Sequence, residues 1–115
     1  MSLEEMDFFN VQANRLLILQ REGNKCFYCL RALNSSNYVI EHVTSRPDGS
    51  NTYRNVVAAC CNCNNRKSNT PVEEFLRDLY RDGYLGTEDF DRRLATLQLL
   101  RNGDLKPNVR GHDKI

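Results

Sequence analysis

The chain has 115 residues, of which 16 are basic and 15 acidic, and its net charge is +1. This length allows one domain with a small core. The chain also has no apolar run of about eighteen residues, the length that would predict a transmembrane helix. The acidic start "MSLEEMDFF" does not resemble a secretory signal, so we expect a cytoplasmic protein without membrane contacts.

The positive charge is concentrated in the middle of the chain. Residues 25–69 carry six basic and two acidic side chains, whereas residues 1–24 and 70–115 are both net negative. A locally basic surface allows a nearly neutral protein to bind a polyanion such as a nucleic acid. The simpler interpretation is that most of these side chains are ordinary solvated surface.

The first predicted element is a helix over residues 3–22. Ser2 and Glu5 have the spacing of a capping box, and apolar residues follow at helical intervals. Gly23-Asn24 is a typical helix end.

Two strand-like segments follow in the middle of the chain. "YVIEHV" (38–43) and "NVVAAC" (55–60) are rich in β-branched residues, and the segment between them is full of turn-forming residues. The pattern predicts two strands joined by a loop.

The last third predicts two helices, at about 71–82 and 88–101. Thr70-Pro71 and Thr87 have the properties of helix starts, and Gly83 and Gly103 follow the two apolar patterns. From about residue 104 the sequence predicts a mobile tail. We therefore expect a single domain over residues 1–115.

Five cysteines in a reducing compartment favour metal binding over disulfides. Cys26 and Cys29 form one CxxC pair, and Cys60 and Cys63 form another. Two such pairs are typical of a tetrahedral structural zinc site with one Zn²⁺ per chain. Cys61 is then the spare cysteine, for which we predict a packing role. The alternatives are buried free cysteines or a redox pair.

The dipeptide Glu41-His42 is the most reactive combination outside the cysteines. A histidine beside a carboxylate can act as a general base next to a divalent ion. On these two residues alone, a half-exposed strand histidine is the better interpretation. In an ideal strand the two side chains also point to opposite faces, so a shared site requires the strand to end or twist there.

In combination, "CFYC", "YVIEHVTSRPDG" and "YRNVVAACCNCNNRKSNTPVEEF" resemble the HNH endonuclease family in its four-cysteine zinc form. The resemblance covers about residues 25–75. It implies an α+β fold: a small ββα-metal core pinned by the four-cysteine zinc site. An N-terminal helix and two C-terminal helices flank that core.

The resemblance also implies roles for four residues. His42 matches the general base, and Asn55 matches the middle asparagine that orders the loop and helps to orient the histidine. Asn64 and Glu41 match the residues that hold a divalent ion, Mg²⁺ or Mn²⁺. The family usually has aspartate where this chain has Glu41, which moves the carboxylate by about 1.5 Å, and misplacements near 1 Å can cost ~10²-fold in rate.

The expected function is a metal-dependent DNA endonuclease that hydrolyses phosphodiester bonds. Four basic residues are expected to contact the phosphate backbone: Arg46, Arg54, Arg66 and Lys67. The alternative functions are a zinc-stabilised nucleic-acid-binding module without catalysis, and a redox or purely structural zinc protein. Dimerisation through the flanking helices is a further hypothesis.

Overall fold

The protein is described by a computed structural model that covers residues 2–45 and 48–109. Within these ranges the regular elements are one 3-10 turn, four helices and two strands. Their bounds are the 3-10 turn Leu3–Glu5, α1 Gln12–Arg21, β1 Tyr38–His42, β2 Val56–Cys60, α2 Cys61–Lys67, α3 Val72–Arg81 and α4 Thr87–Asn102. No helix in these ranges is long and apolar enough to cross a membrane.

The centre of the fold is an antiparallel hairpin of β1 and β2. Its register runs from the Tyr38–Cys60 pair at one end to the His42–Val56 pair at the other. All five residues of β2 are buried, because α1 and α2 both pack against the hairpin. This arrangement confirms the predicted α+β class with a ββα core between flanking helices.

The N-terminal helix is shorter than predicted. The capping box at Ser2 and Glu5 forms, but it starts only a 3-10 turn that ends at Glu5. The Asp7 carboxylate then accepts hydrogen bonds from the backbone amides of Phe9 and Asn10, both at 2.8 Å. Such an aspartate turn competes with helical hydrogen bonding, so the predicted helix over 3–22 begins only at Gln12.

A buried ion pair ties the end of α1 to β2. Nη2 of Arg21 lies 2.9 Å from Oε2 of Glu22, and the two side chains are only 4% and 5% exposed. The Arg21 guanidinium also donates to the carbonyl of Val56 at 2.8 Å. The Glu22 carboxylate accepts from the amide of Ala58 at 3.2 Å. Both charges are therefore satisfied by partners on the strand.

The two C-terminal helices pack on each other through buried apolar side chains. These side chains are Phe75, Leu76 and Leu79 of α3 and Leu97 and Leu100 of α4. The prediction of a mobile tail implied that the chain leaves the fold at about residue 104. The described residues after α4 instead remain packed on the fold. Leu105 and Val109 pack against the core, and the Leu105 carbonyl accepts from Arg21 at 3.2 Å. His112 lies outside the described residues.

Candidate metal centre and catalytic cleft

The two CxxC pairs meet at the Cys60 end of the hairpin. The sulfurs of Cys26, Cys29, Cys60 and Cys63 all lie within 4.8 Å of one another. A tetrahedral zinc with bonds of about 2.3 Å requires sulfurs roughly 3.8 Å apart, and the Cys29 and Cys60 sulfurs are separated by 3.8 Å. The geometry therefore fits the predicted zinc cluster.

Local backbone geometry aims these sulfurs at one point. Cys60 ends β2 and caps α2, and its sulfur accepts a hydrogen bond of 3.4 Å from the amide of Cys63. In the first pair the amide of Leu30 donates to the carbonyl of Cys26 at 3.0 Å and closes a tight turn. Each CxxC is thus a turn that presents two thiols to one ion.

Electrostatics favours a cation at the cluster. Hydrogen bonds from Cys26 and Cys63 lower the pKa of Cys29 to about 3, whereas hydrogen bonds with Cys26 and Cys29 raise the pKa of Cys63. Within the cluster the thiolate form is therefore favoured at Cys29 and disfavoured at Cys63, and a Zn²⁺ ion bound there would replace the remaining thiol protons.

The spare cysteine is not a ligand, but it also does not pack. Cys61 is exposed at the first residue of α2 and is not one of the four clustered thiols. The predicted packing role of Cys61 is therefore wrong. The turn that carries Cys60 and Cys63 to the cluster leaves this side chain at the surface.

A second site lies in an open cleft of about 580 Å³. Glu41, His42 and Asn64 all line it, together with Phe9 and Ser45. Glu41 and His42 are the last two residues of β1, and Asn64 lies on α2. Glu41 and His42 are consecutive residues of β1, yet both line this cleft.

His42 is held by two residues that the sequence did not single out. Its Nε2 lies 2.7 Å from Oδ1 of Asn51. Its ring stacks on Phe9, with ring centroids 4.1 Å apart and planes at 29°. Asn51 is one of several polar residues in the predicted loop, and Phe9 lay in the predicted helix, so no sequence signal marked either residue.

Asn55 organises the loop between the strands. Its side-chain oxygen accepts from the amide of Thr44 at 2.8 Å. Its amide nitrogen donates to the carbonyls of Thr44 and Ser50, at 3.0 and 2.8 Å. A loop-ordering role for Asn55 is consistent with these bonds, whereas the hydrogen bond to the histidine comes from Asn51.

Glu41 is 8% exposed and is held by an aromatic residue of the Cys26–Cys29 turn, which we call the zinc turn. The hydroxyl of Tyr28, which lies between Cys26 and Cys29, donates to the Glu41 carboxylate. Burial raises the pKa of Glu41 to about 7, although the Tyr28 hydrogen bond and the charge of Lys67 oppose that rise. The zinc turn and the cleft are therefore connected through one hydrogen bond.

Of the four basic residues expected to contact DNA phosphates, Lys67 departs most clearly from that expectation. Its side chain is 1% exposed and its charge acts on Glu41, so the prediction that it contacts DNA phosphates is corrected. Arg66 pairs with Asp82 at 2.7 Å, and Arg54 pairs with Glu4 at 3.2 Å. Arg46 lies outside the described residues.

Comparison with known proteins identifies the region that contains both sites. The family model "HNH endonuclease" matches residues 26–70. The CRISPR-associated endonuclease Cas9 of Corynebacterium diphtheriae is 32% identical over 76 residues, which are 64% of this chain and 7% of that protein. The crystal structure of the Type II-C Cas9 enzyme from Actinomyces naeslundii aligns with a TM-score of 0.57 at 25% identity. That alignment covers 79% of this chain and 10% of the Actinomyces protein.

The chain thus corresponds to a small part of each relative. The matched segment contains all four clustered cysteines and the cleft residues Glu41, His42 and Asn64. Over residues 26–70, the chain is therefore similar to the HNH endonuclease family.

Proposed function

We propose that this chain is a metal-dependent DNA endonuclease. The observation that carries the proposal is that Glu41, His42 and Asn64 line one open cleft, beside a separate four-thiolate cluster. A closed tetrahedral zinc has no free coordination position. Hydrolysis is therefore assigned to the cleft, and the cysteines stabilise the fold.

His42 is the general base in this proposal. Oδ1 of Asn51 can only accept a hydrogen bond, so Nε2 of His42 carries the proton of that bond. In the neutral ring, Nδ1 then carries the lone pair that removes a proton from water. General-base catalysis of this kind contributes ~10²–10⁴-fold to a rate.

Glu41 and Asn64 are the residues that would hold Mg²⁺ or Mn²⁺. One carboxylate and one amide oxygen beside an open cleft fit a hard ion that keeps several waters. When bound, the ion would neutralise charge on the phosphate and on the leaving oxygen.

The hydrogen bond from Tyr28 offers a reason why glutamate is tolerated where the family usually has aspartate. The extra methylene lengthens the side chain, and Tyr28 draws the carboxylate toward the zinc turn, where it is 8% exposed.

DNA is the proposed substrate because the matched segment is the positively charged part of the chain. Arg54 and Arg66 are proposed phosphate contacts. Each already forms an ion pair, with exposed fractions of 46% and 32% for the two arginine side chains. A phosphate would have to compete with Glu4 and Asp82 for them, and pairs this exposed are worth less than ~1 kcal/mol.

Incubation of the 115-residue chain with supercoiled plasmid and Mg²⁺ tests the proposal. We expect nicked or linear product, a loss of ~10²–10⁴-fold in rate for His42→Ala, and loss of cleavage for Asn64→Ala. The matched control is Asn65→Ala, because Asn65 is the exposed next residue of α2. Equal cleavage by His42→Ala and wild type, or loss of zinc from Asn64→Ala, would contradict these assignments.

A non-catalytic nucleic-acid-binding module is the second candidate. It is favoured by one observation: Tyr28 and Lys67 already act on the Glu41 carboxylate, which an ion would need. That function predicts salt-dependent DNA binding and no cleavage with Mg²⁺ or Mn²⁺. The plasmid assay and a salt-dependent binding titration together distinguish the two candidates.

A further inference from the structure

The segment Asp7–Asn10 precedes the residues that match the family, yet it contacts the cleft histidine. Phe9 lines the cleft beside His42, and the two rings stack with centroids 4.1 Å apart. A stacked aromatic ring restricts rotation of the imidazole about its second side-chain torsion, which is otherwise broad.

A polar contact holds the same histidine at its Nε2 atom. Asn51 accepts from Nε2 of His42 at 2.7 Å. Burial raises the pKa of the Asp7 carboxyl, but hydrogen-bond partners that include the Asn51 side chain lower it overall. A carboxylate only accepts, so Asn51 offers Asp7 its NH₂ group, which leaves Oδ1 for the histidine. The series of contacts from Asp7 through Asn51 to His42 therefore defines which atom of Asn51 faces the imidazole ring.

Backbone contacts anchor the segment in this position. The amide of Phe8 donates to the carbonyl of Asn51 at 2.9 Å, and the Phe8 side chain is fully buried. Nη1 of Arg15, on α1, donates to the carbonyl of Phe9 at 3.2 Å. Asp7 caps the turn through the amides of Phe9 and Asn10. The segment is therefore held both by the loop between β1 and β2 and by α1.

We infer that Asp7, Phe9 and Asn51 form a histidine clamp, a set of positioning residues that hold the imidazole of His42 in its reactive orientation. The inference rests on the proposed role of His42 as general base. Phe9 sets the plane of the ring, and Asn51, oriented by Asp7, selects the tautomer with the proton on Nε2. The N-terminal segment is then part of the catalytic apparatus, although it lies outside the family-matched residues.

The first test replaces the stacked ring. Phe9→Leu removes the stack and is expected to lower kcat for plasmid cleavage about 10- to 100-fold, the scale of a misplaced catalytic group, with little change in KM. Phe9→Tyr keeps the stack and is expected to restore kcat. Phe90→Leu is the matched control, because Phe90 is also partly buried and stacks on Tyr80 with centroids 4.9 Å apart.

The second test reads the histidine directly, without metal or DNA. Nitrogen-15 chemical shifts of His42 distinguish its two neutral tautomers, and we expect the Nε2–H form in the wild-type chain. Asn51→Ala is expected to produce a mixture of the two tautomers. Asn102→Ala, an exposed asparagine at the end of α4, should not change these shifts.

The outcomes separate the two proposals. Unchanged kcat in Phe9→Leu, or unchanged His42 shifts in Asn51→Ala, would overturn the clamp and leave the nuclease assignment intact. A loss of kcat in Phe9→Leu that Phe9→Tyr does not restore would also overturn it, since that pattern indicates general destabilisation. No cleavage by the wild-type chain would instead refute the proposed function, and with it any catalytic role of the clamp.

Discussion

The two ends of the β-hairpin are held together by different means. At the Cys60 end, four thiols from two short turns converge within 4.8 Å. At the His42 end, order comes from many weaker contacts: the bonds of Asn55, the histidine clamp and the buried pair of Arg21 and Glu22. The Cys60 end has the geometry for one strong interaction with a metal ion, and the His42 end depends on a network of weaker contacts.

This difference explains why short sequence patterns describe the Cys60 end of the hairpin better than the His42 end. The thiols are three residues apart within each pair, so local spacing specifies the cluster almost completely. The network draws on residues from Asp7 to Asn55, and no short motif contains it. Substitutions that disturb one end at a time should therefore have effects that differ in size and in kind.

The largest expected effect is the loss of the metal. Cys60→Ser should remove zinc and unfold the hairpin region, because structural zinc in small peptides is worth ~10–16 kcal/mol, against ~5–15 kcal/mol for a whole domain. Metal analysis and circular dichroism measure the result. Cys61→Ser is the matched control, since this exposed neighbour should keep both zinc and fold. An equal loss of zinc in both variants would contradict the four-cysteine assignment.

Removal of the buried ion pair should have the next largest effect. Arg21→Met leaves Glu22 charged and buried, so we expect the free energy of unfolding to fall by ~3–5 kcal/mol. Denaturant unfolding at saturating zinc measures this change.

The matched control for Arg21 is Arg101→Met. Arg101 pairs with Glu73 on the surface at 2.5 Å, with side chains 38% and 44% exposed. Loss of a pair this exposed should cost less than ~1 kcal/mol. Equal effects of the two substitutions would show that burial does not set the strength of the α1–β2 connection.

The smallest expected effect on stability is at the loop. A Cβ at Gly49 would lie 1.8 Å from the Thr44 carbonyl oxygen and 2.4 Å from Nδ2 of Asn55. Gly49→Ala should therefore break the Asn55 bonds, at a cost of about 1–3 kcal/mol. Zinc should be retained, and plasmid cleavage should fall strongly because the loop ends at the histidine clamp.

Gly86→Ala is the control for this loop substitution. A Cβ at Gly86 would meet nothing within 4 Å, and its backbone torsion is ordinary. Cleavage by this variant should match wild type, and its free energy of unfolding should fall by less than ~1 kcal/mol, because Gly86 is the N-cap of α4. Full cleavage activity in Gly49→Ala would show that the loop hydrogen bonds are not needed for catalysis.

The errors in the sequence interpretation have local physical causes. Capping and periodicity predicted a helix over 3–22, but the Asp7 carboxylate captures two backbone amides and bends the chain before Gln12. The sequence position of Lys67 at the end of a basic helix indicated a surface contact. In the fold its side chain is buried, and its charge acts on Glu41.

By itself, the sequence determined the pairing of the four clustered cysteines and the ββα core, because these follow from short spacings and from local strand and helix patterns. It singled out Glu41, His42 and Asn64 through the family resemblance. Only the tertiary structure decided that all three side chains line one cleft. It also decided that Tyr28 holds the carboxylate and that Phe9 and Asn51 hold the histidine. The reason is physical: each of these contacts joins residues 9 to 33 positions apart, and packing, not spacing along the chain, brings them together.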